Sequence, residues 1–167
     1  MAVQFGAWAS VMVMIVTGYG YRFELRDLGR RIMGELAPTK GTTLDADTIS
    51  FARAADRQFW IDAVADGEAI RFLVDTGASG VALTKADAQR LGFRLDQLRF
   101  TQTFDTANGT TRGAFVRIDR MVIGPIAMDN VGAWVNEGDL GSSLLGISLL
   151  ERFGSVEIRN DTLTIRR

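Results

Sequence analysis

Two patterns of apolar and polar residues divide the chain. From Ala2 to Tyr21 nearly every position is apolar or small, with Gln4 the main exception. A helix of about 20 such residues spans about 30 Å, the thickness of a bilayer core. Trp8, Tyr19 and Tyr21 suit the two interfaces. A membrane anchor is therefore expected over residues 2–21. A secretory signal peptide is the rival reading, but no basic residue precedes the apolar run and no clear small-x-small cleavage site follows it. A buried helix of a soluble domain is the third. Beyond Tyr21, Leu25, Leu28, Ile32 and Leu36 recur at helical spacing among Arg22, Arg26, Arg30 and Arg31. This predicts a continuing helix with a solvated basic face, stopped by Pro38. The expected division is a transmembrane and juxtamembrane helix over residues 1–37, a linker over 38–47 and one domain over 48–167.

After the linker the period changes to two, the signature of strands. Thr48 to Arg53 and Gln58 to Val64 read as strands. Asp66-Gly67 makes a hairpin turn, and Ala69 to Val74 returns. Leu83 to Gly92 reads as a short helix, with Thr84 as its cap and Gly92 past its end. Phe100 to Thr106 and Thr110 to Ile118 flank Ala107-Asn108-Gly109, a hairpin signal through Asn-Gly. Met121 to Ile123 and Val131 to Val135 add strands, and Leu144 to Phe153 reads as a short helix. Val156 to Ile158 and Leu163 to Ile165 form a last hairpin. The fold class is mainly β.

Composition narrows the chemistry. The 167 residues include no cysteine and no histidine. Disulfides, thiolate or imidazole metal sites and Ser-His-Asp or Cys-His catalysis are thereby excluded. No cofactor and no metal is expected. Acid–base work falls to carboxylates, tyrosine or the two lysines, Lys40 and Lys85. The net charge of −1 argues against a nucleic-acid partner. Residues 1–40 carry a net +2 and residues 41–167 a net −3.

One carboxylate stands out. The apolar run Phe72-Leu73-Val74 ends in Asp75-Thr76-Gly77-Ala78-Ser79. A strand of this kind delivers Asp75 to a fixed point, and Gly77 permits a sharp turn and close approach by another chain. Asp-Thr-Gly by itself is a common structural turn. Here an Asn-Gly hairpin follows about 30 residues later and Leu144-Leu145-Gly146 about 70 residues later. A lone Asp, with a pKa of about 3.9, is a weak base. Two in contact cannot both ionise and so share one proton, the established behaviour of aspartic-protease carboxyl pairs.

These segments together resemble the retropepsin-like (clan AA) aspartic proteases, in particular bacterial, membrane-anchored, single-domain members. The likeness runs from about Thr48 to Ile165. It implies a closed β-domain of the acid-protease type with one or two short helices, preceded here by the N-terminal hydrophobic helix. It further implies a homodimer, because the chain has one Asp-Thr-Gly, and a peptide or protein substrate. By the resemblance Asp75 is the catalytic acid–base, and Thr76 and Gly77 lock the paired turns together. Ala78 and Ser79 line the cleft floor, and Ala107, Asn108 and Gly109 form the tip of a flap over the peptide. Leu144, Leu145 and Gly146 pack beneath the catalytic turn. Ile147 stands where retroviral enzymes often carry Arg, and the flap tip is polar. The resemblance implies a domain facing the periplasm from the inner membrane. The arginines after the apolar run favour the cytoplasmic side instead. The alternative function is a non-catalytic β-domain that binds an extended peptide or partner, with Asp75 as a structural turn residue.

Overall fold

The computed structural model describes residues 39–106 and 109–167. The expected apolar span over residues 2–21, the basic helix after it and Ala107-Asn108 lie outside the described residues. Among the described residues no helix is long and apolar enough to cross a membrane.

Eleven strands and two short helices are described. In chain order the strands are β1 (Thr42–Asp45), β2 (Thr48–Ala52), β3 (Trp60–Ala65), β4 (Glu68–Val74) and β5 (Val81–Leu83). Helix α1 (Lys85–Arg90) precedes β6 (Gln102–Thr106), β7 (Gly109–Ile123), β8 (Ile126–Asn136) and β9 (Ser143–Leu145). Helix α2 (Ile147–Leu150) precedes β10 (Ser155–Arg159) and β11 (Thr162–Arg166). The fold is mainly β, with a seven-stranded sheet in the order β3-β4-β9-β5-β8-β7-β6. A short antiparallel pairing of Val64 with Val122 and Ala65 with Met121 joins β3 to β7 and closes that sheet on itself. A second sheet runs β1-β2-β11-β10. Strand β1 falls within the stretch read as linker. It is short and exposed, with little alternation of its own, and it exists through its pairing with β2.

The core follows the two-residue period. Ile61, Ala63 and Ala65 of β3 point inward, and Ile70 and Phe72 of β4 meet them. Their hairpin turns at Asp66 and Gly67, with φ of 46° and 89°. Two successive positive φ values match the right-handed twist of the flanking strands, which is why Asp-Gly sits there. Thr84 caps α1 as expected, its hydroxyl accepting from the Asp87 N–H.

Two sequence readings change. The stretches Thr110 to Ile118 and Met121 to Ile123 are one strand, β7, not two. Ile118 and Met121 are both fully buried, so the inward phase shifts between them. Pairing with β8 lapses at Asp119 and Asn130, and Asn130 takes φ 55°. The Asp66 carboxylate accepts from the Asp119 and Arg120 N–H groups at 3.2 and 2.8 Å, steadying the shift. The helix read over Leu144 to Phe153 begins only at Ile147, because Ser143–Leu145 is drawn into the sheet.

Asp62 ties the start of the described chain to β3. Its carboxylate accepts from the Thr39 hydroxyl at 2.7 Å and from Arg71 Nε at 2.8 Å. Partial burial opposes its ionisation, but the hydrogen bonds from Arg71 and Thr39 and the Arg71 charge prevail. The carboxyl is held below its ordinary value of 3.8. A depressed carboxyl stabilises the fold above the unfolded-state value and loses that contribution as pH falls through the folded-state value. The Asp62→Asn protein should therefore be less stable than wild type at pH 7, with the gap closing below about pH 4. Urea midpoints at pH 7 and pH 3 check this, and a gap that widens in acid refutes it. In the core, Phe72→Ala should cost about 3–5 kcal/mol by the same measurement.

Candidate active site

Asp75 stands where β4 leaves the sheet. Strand β9 lies between β4 and β5. It runs parallel to β4, pairing Phe72 with Ser143, Leu73 with Leu144 and Val74 with Leu145. It meets β5 in the opposite sense through Leu144 and Ala82. The last bond of the β4 ladder is the Asp75 N–H to the Leu145 carbonyl, 3.0 Å. The backbone then turns, with the Ala78 N–H donating to the Asp75 carbonyl at 3.2 Å. The Gly77 N–H donates to Asp75 Oδ1 at 2.8 Å, which fixes the carboxylate rotamer. A Cβ on Gly77 would lie 3.1 Å from that oxygen. Glycine therefore serves here by close approach to the acid. Asp75 is half-buried, and Thr76 and Gly77 are exposed.

The support beneath is main chain. Ala78 and Ser79 accept from the Ile147 and Ser148 N–H groups at 2.9 and 3.1 Å. Gly146 is buried. A Cβ there would fall 2.3 Å from the Gly80 carbonyl oxygen and 2.5 Å from that of Ala78. Leu145 is fully buried, and Leu144 is half-buried. The structure thus brings together Asp75, Thr76, Gly77, Ala78 and Ser79 with Leu144, Leu145 and Gly146. The hairpin of β6 and β7 pairs Thr106 with Gly109 at its end, and Gly109 has φ 108°. Ala107 and Asn108, expected at the tip, lie outside the described residues. The hairpin is braced at its base by Arg112, whose guanidinium donates twice to Glu137 at 2.7 and 2.9 Å. Thr111 adds a hydroxyl bond to Asn136 Oδ1 at 2.7 Å.

Ser143 and Asp87 did not stand out in the sequence. Ser143 is fully buried on β9. Its hydroxyl donates to Asp87 Oδ2 at 2.6 Å and accepts from the Thr84 N–H at 3.1 Å. The network joins α1 to the strand beneath Asp75. Its one legible signal is the acid three residues after the Thr84 cap, the usual place for a side chain that completes a helix start. Among the described residues no group of carboxylates is arranged to hold a metal.

The described residues thus form a closed β-domain, with an acid at the end of one strand and an apolar-apolar-glycine strand slotted under it. Comparisons with known proteins identify the family and the fold. The model of the family described as gag-polyprotein putative aspartyl protease matches residues 61–152. An uncharacterized protein of Rickettsia prowazekii (strain Madrid E) is 42% identical over 162 residues, which cover 97% of this chain and 70% of that protein. An uncharacterized protein from the cobV 5' region of a Sinorhizobium species is 38% identical over 168 residues, covering 98% of this chain and 72% of its own length. The crystal structure of a retropepsin-like aspartic protease from Rickettsia conorii superposes with a TM-score of 0.66 at 47% identity, covering 71% of this chain and 89% of that one. EIAV protease in complex with the inhibitor HBY-793 shares the fold, with a TM-score of 0.53 at 17% identity over 63% of this chain and 96% of that one. The chain belongs to the gag-polyprotein aspartyl protease family, and its described domain has the retropepsin-like fold.

Two substitutions test the support. Gly146→Ala forces a side chain into backbone and should cost more than about 3 kcal/mol. Ser143→Ala strands a part-buried carboxylate oxygen and an N–H, and should cost about 1–3 kcal/mol. Urea unfolding at neutral pH measures both. A Gly146→Ala protein as stable as wild type would mean that β9 does not seat against Gly80 as described.

Proposed function

We propose that the protein is an aspartic endopeptidase that acts as a homodimer, with Asp75 of each copy forming the catalytic pair. The observation that carries this reading is the Asp75 turn. Its carboxylate is oriented by the Gly77 N–H, and Thr76 and Gly77 around it are left open to a partner. One chain supplies one such acid. A two-fold dimer would set two of them face to face, each bringing the same surface.

The chemistry follows from the shared proton. The ionised carboxylate takes a proton from a water molecule, and the water oxygen attacks the scissile carbonyl carbon. The protonated carboxyl gives its proton to the carbonyl oxygen. Collapse of the resulting diol breaks the carbon–nitrogen bond, with a proton passing to the leaving amine. In this reading Thr76 bonds across the dimer axis, and Ala78 and Ser79 lie along the substrate backbone. The β6–β7 hairpin, with Ala107, Asn108 and Gly109 at its tip, closes over an extended peptide held by backbone bonds and apolar pockets. Residues 2–21 anchor the enzyme in the inner membrane with the domain on the periplasmic side. Confinement to a surface raises local concentration and favours pairing of the two halves.

The test is cleavage of a mixed peptide library by the full chain across pH 4 to 8 and a range of protein concentrations. Activity should be greatest at mildly acidic pH and rise more than linearly with concentration. Asp75→Asn and Asp75→Ala should each lower it by more than about a thousandfold with little change in unfolding midpoint. Normal turnover by Asp75→Asn would end the mechanism. An intact, peptide-binding protein that cleaves nothing at any concentration would favour the non-catalytic β-domain instead.

A further inference from the structure

The outer face of β7 and β8 carries aromatic surface that the Asp75 turn does not use. Phe115 sits in the middle of β7, paired with Trp134 of β8, yet is 60% exposed. Its ring meets Trp134 edge to face, centroids 5.1 Å apart at 66°. Phe104 of β6 packs on Trp134 in the same manner, at 5.2 Å and 69°. A row of three rings is thus set rigidly on a sheet, one end of it in solvent. Alongside lies an open cavity of about 220 Å³, bounded by Gly80, Gly132, Phe115, Trp134, Ser148 and Arg152. Gly132 leaves bare backbone where a side chain would press on Phe115, and Gly80 leaves open space beside Ser148. A Cβ on Gly132 would come within 3.1 Å of the Phe115 ring, and one on Gly80 within 3.4 Å of Ser148 Oγ.

One arginine lines this cavity and a second stands beside it. Arg152 spends its guanidinium on the carbonyls of Asp129 and Asn130, at 2.8 and 3.4 Å, which leaves its charge uncompensated. Arg117 follows Phe115 on the same face of β7, exposed and opposite Gly132. Among the described residues neither arginine has an ion-pair partner, whereas the neighbouring Arg120 has Asp129. The cavity is also continuous with the catalytic turn. Gly80 follows Asp75 by five residues. It lines the cavity, and its carbonyl and N–H flank Gly146.

We propose that this groove binds a stretch of the substrate polypeptide outside the scissile segment. It takes a large apolar or aromatic side chain against Phe115 and Trp134, and a carboxylate of the same stretch faces Arg117 and Arg152. The inference rests on the protease reading for the word substrate, and on the groove alone for the chemistry of the ligand. A rigid aromatic row receives an apolar side chain at low entropic cost. The charges of Arg117 and Arg152, neither neutralised by an ion pair among the described residues, select acidic neighbours and repel basic ones. The enzyme would then prefer polypeptides with an acidic-aromatic segment beyond the cleaved bond.

The experiment uses the full chain carrying Asp75→Asn, so that binding is read without turnover. The probes are a labelled peptide of alternating phenylalanine and glutamate and a counterpart of phenylalanine and lysine, titrated by fluorescence anisotropy. The acidic peptide should bind about tenfold or more tighter than the basic one, and adding Phe115→Ala or Arg117→Glu should weaken it by about tenfold. In the Asp75 protein, Phe115→Ala should lower kcat/KM for a substrate extended by the acidic-aromatic stretch, and leave cleavage of the unextended peptide unchanged. Affinity indifferent to Phe115, or a preference for the basic peptide, would overturn the inference. So would a Phe115→Ala protein altered only in its monomer–dimer equilibrium, since the face would then be a contact between copies. Phe115-dependent binding by a protein that cleaves nothing, with or without Asp75, would remove the protease reading and leave a peptide-binding groove.

Discussion

Everything near Asp75 depends on one strand fitting between two others. Strand β9 is only three residues long, yet it pairs with β4 on one side and β5 on the other, in opposite senses. The Leu145 carbonyl takes the Asp75 N–H, so the Asp75 turn begins where β9 ends. Gly146 then passes so close to the Gly80 and Ala78 carbonyls that no side chain fits. Backbone against backbone is a stiff contact, because peptide planes have no rotamers to adjust. The same contact lets the first N–H groups of α2 reach the Ala78 and Ser79 carbonyls. Unpaired donors at a helix start and unpaired acceptors in a turn satisfy one another.

This support explains how an acid can be both fixed and available. Asp75 is half-buried, with one oxygen held by Gly77 and the turn beyond it open. A side chain placed by its own backbone needs no neighbouring charge to aim it. The surrounding structure can therefore remain sparse in polar groups, and no ion pair has to hold the Asp75 carboxylate in place. The polar bonds that do lie close by, from Ser143 to Asp87 and Thr84, work behind β9, where they join α1 to the strand.

The sequence made the strand-forming stretches and the two-part site legible because each rests on short-range chemistry. Asp66-Gly67 requires positive φ, Thr84 supplies a helix cap, and Asp75-Thr76-Gly77 with Leu144-Leu145-Gly146 are local strings. What stayed hidden depends on partners distant in the chain. Leu144 and Leu145 read as the start of a helix because so short a stretch has no period of its own. Only β4 and β5 make them a strand. Strand β1 is likewise defined by β2. The continuity of β7 was obscured at Asp119, where the inward phase shifts and the sequence shows two exposed charged residues in succession. The acid that steadies that shift, Asp66, sits 53 residues earlier in a turn that already has a sufficient local reason to exist. Ser143 was equally unreadable, since a serine beside two leucines carries no hint of an aspartate on another element.

The aromatic row follows from the same geometry. Helix α2 is fixed by its bonds to Ala78 and Ser79, so Ser148 within it and Arg152 beyond its end are fixed relative to the Asp75 turn as well. They form one wall of the outer groove, and Trp134 and Phe115 on β8 and β7 form the other. Val81 of β5 pairs with Ala133, next to Trp134, so the second wall is also bonded to the strand that leaves the turn. A ligand that fills the groove must therefore press on elements hydrogen-bonded to both ends of the Ala78–Gly80 stretch. In the proposed reading, recognition of an outlying segment and placement of the Asp75 turn draw on one set of main-chain bonds.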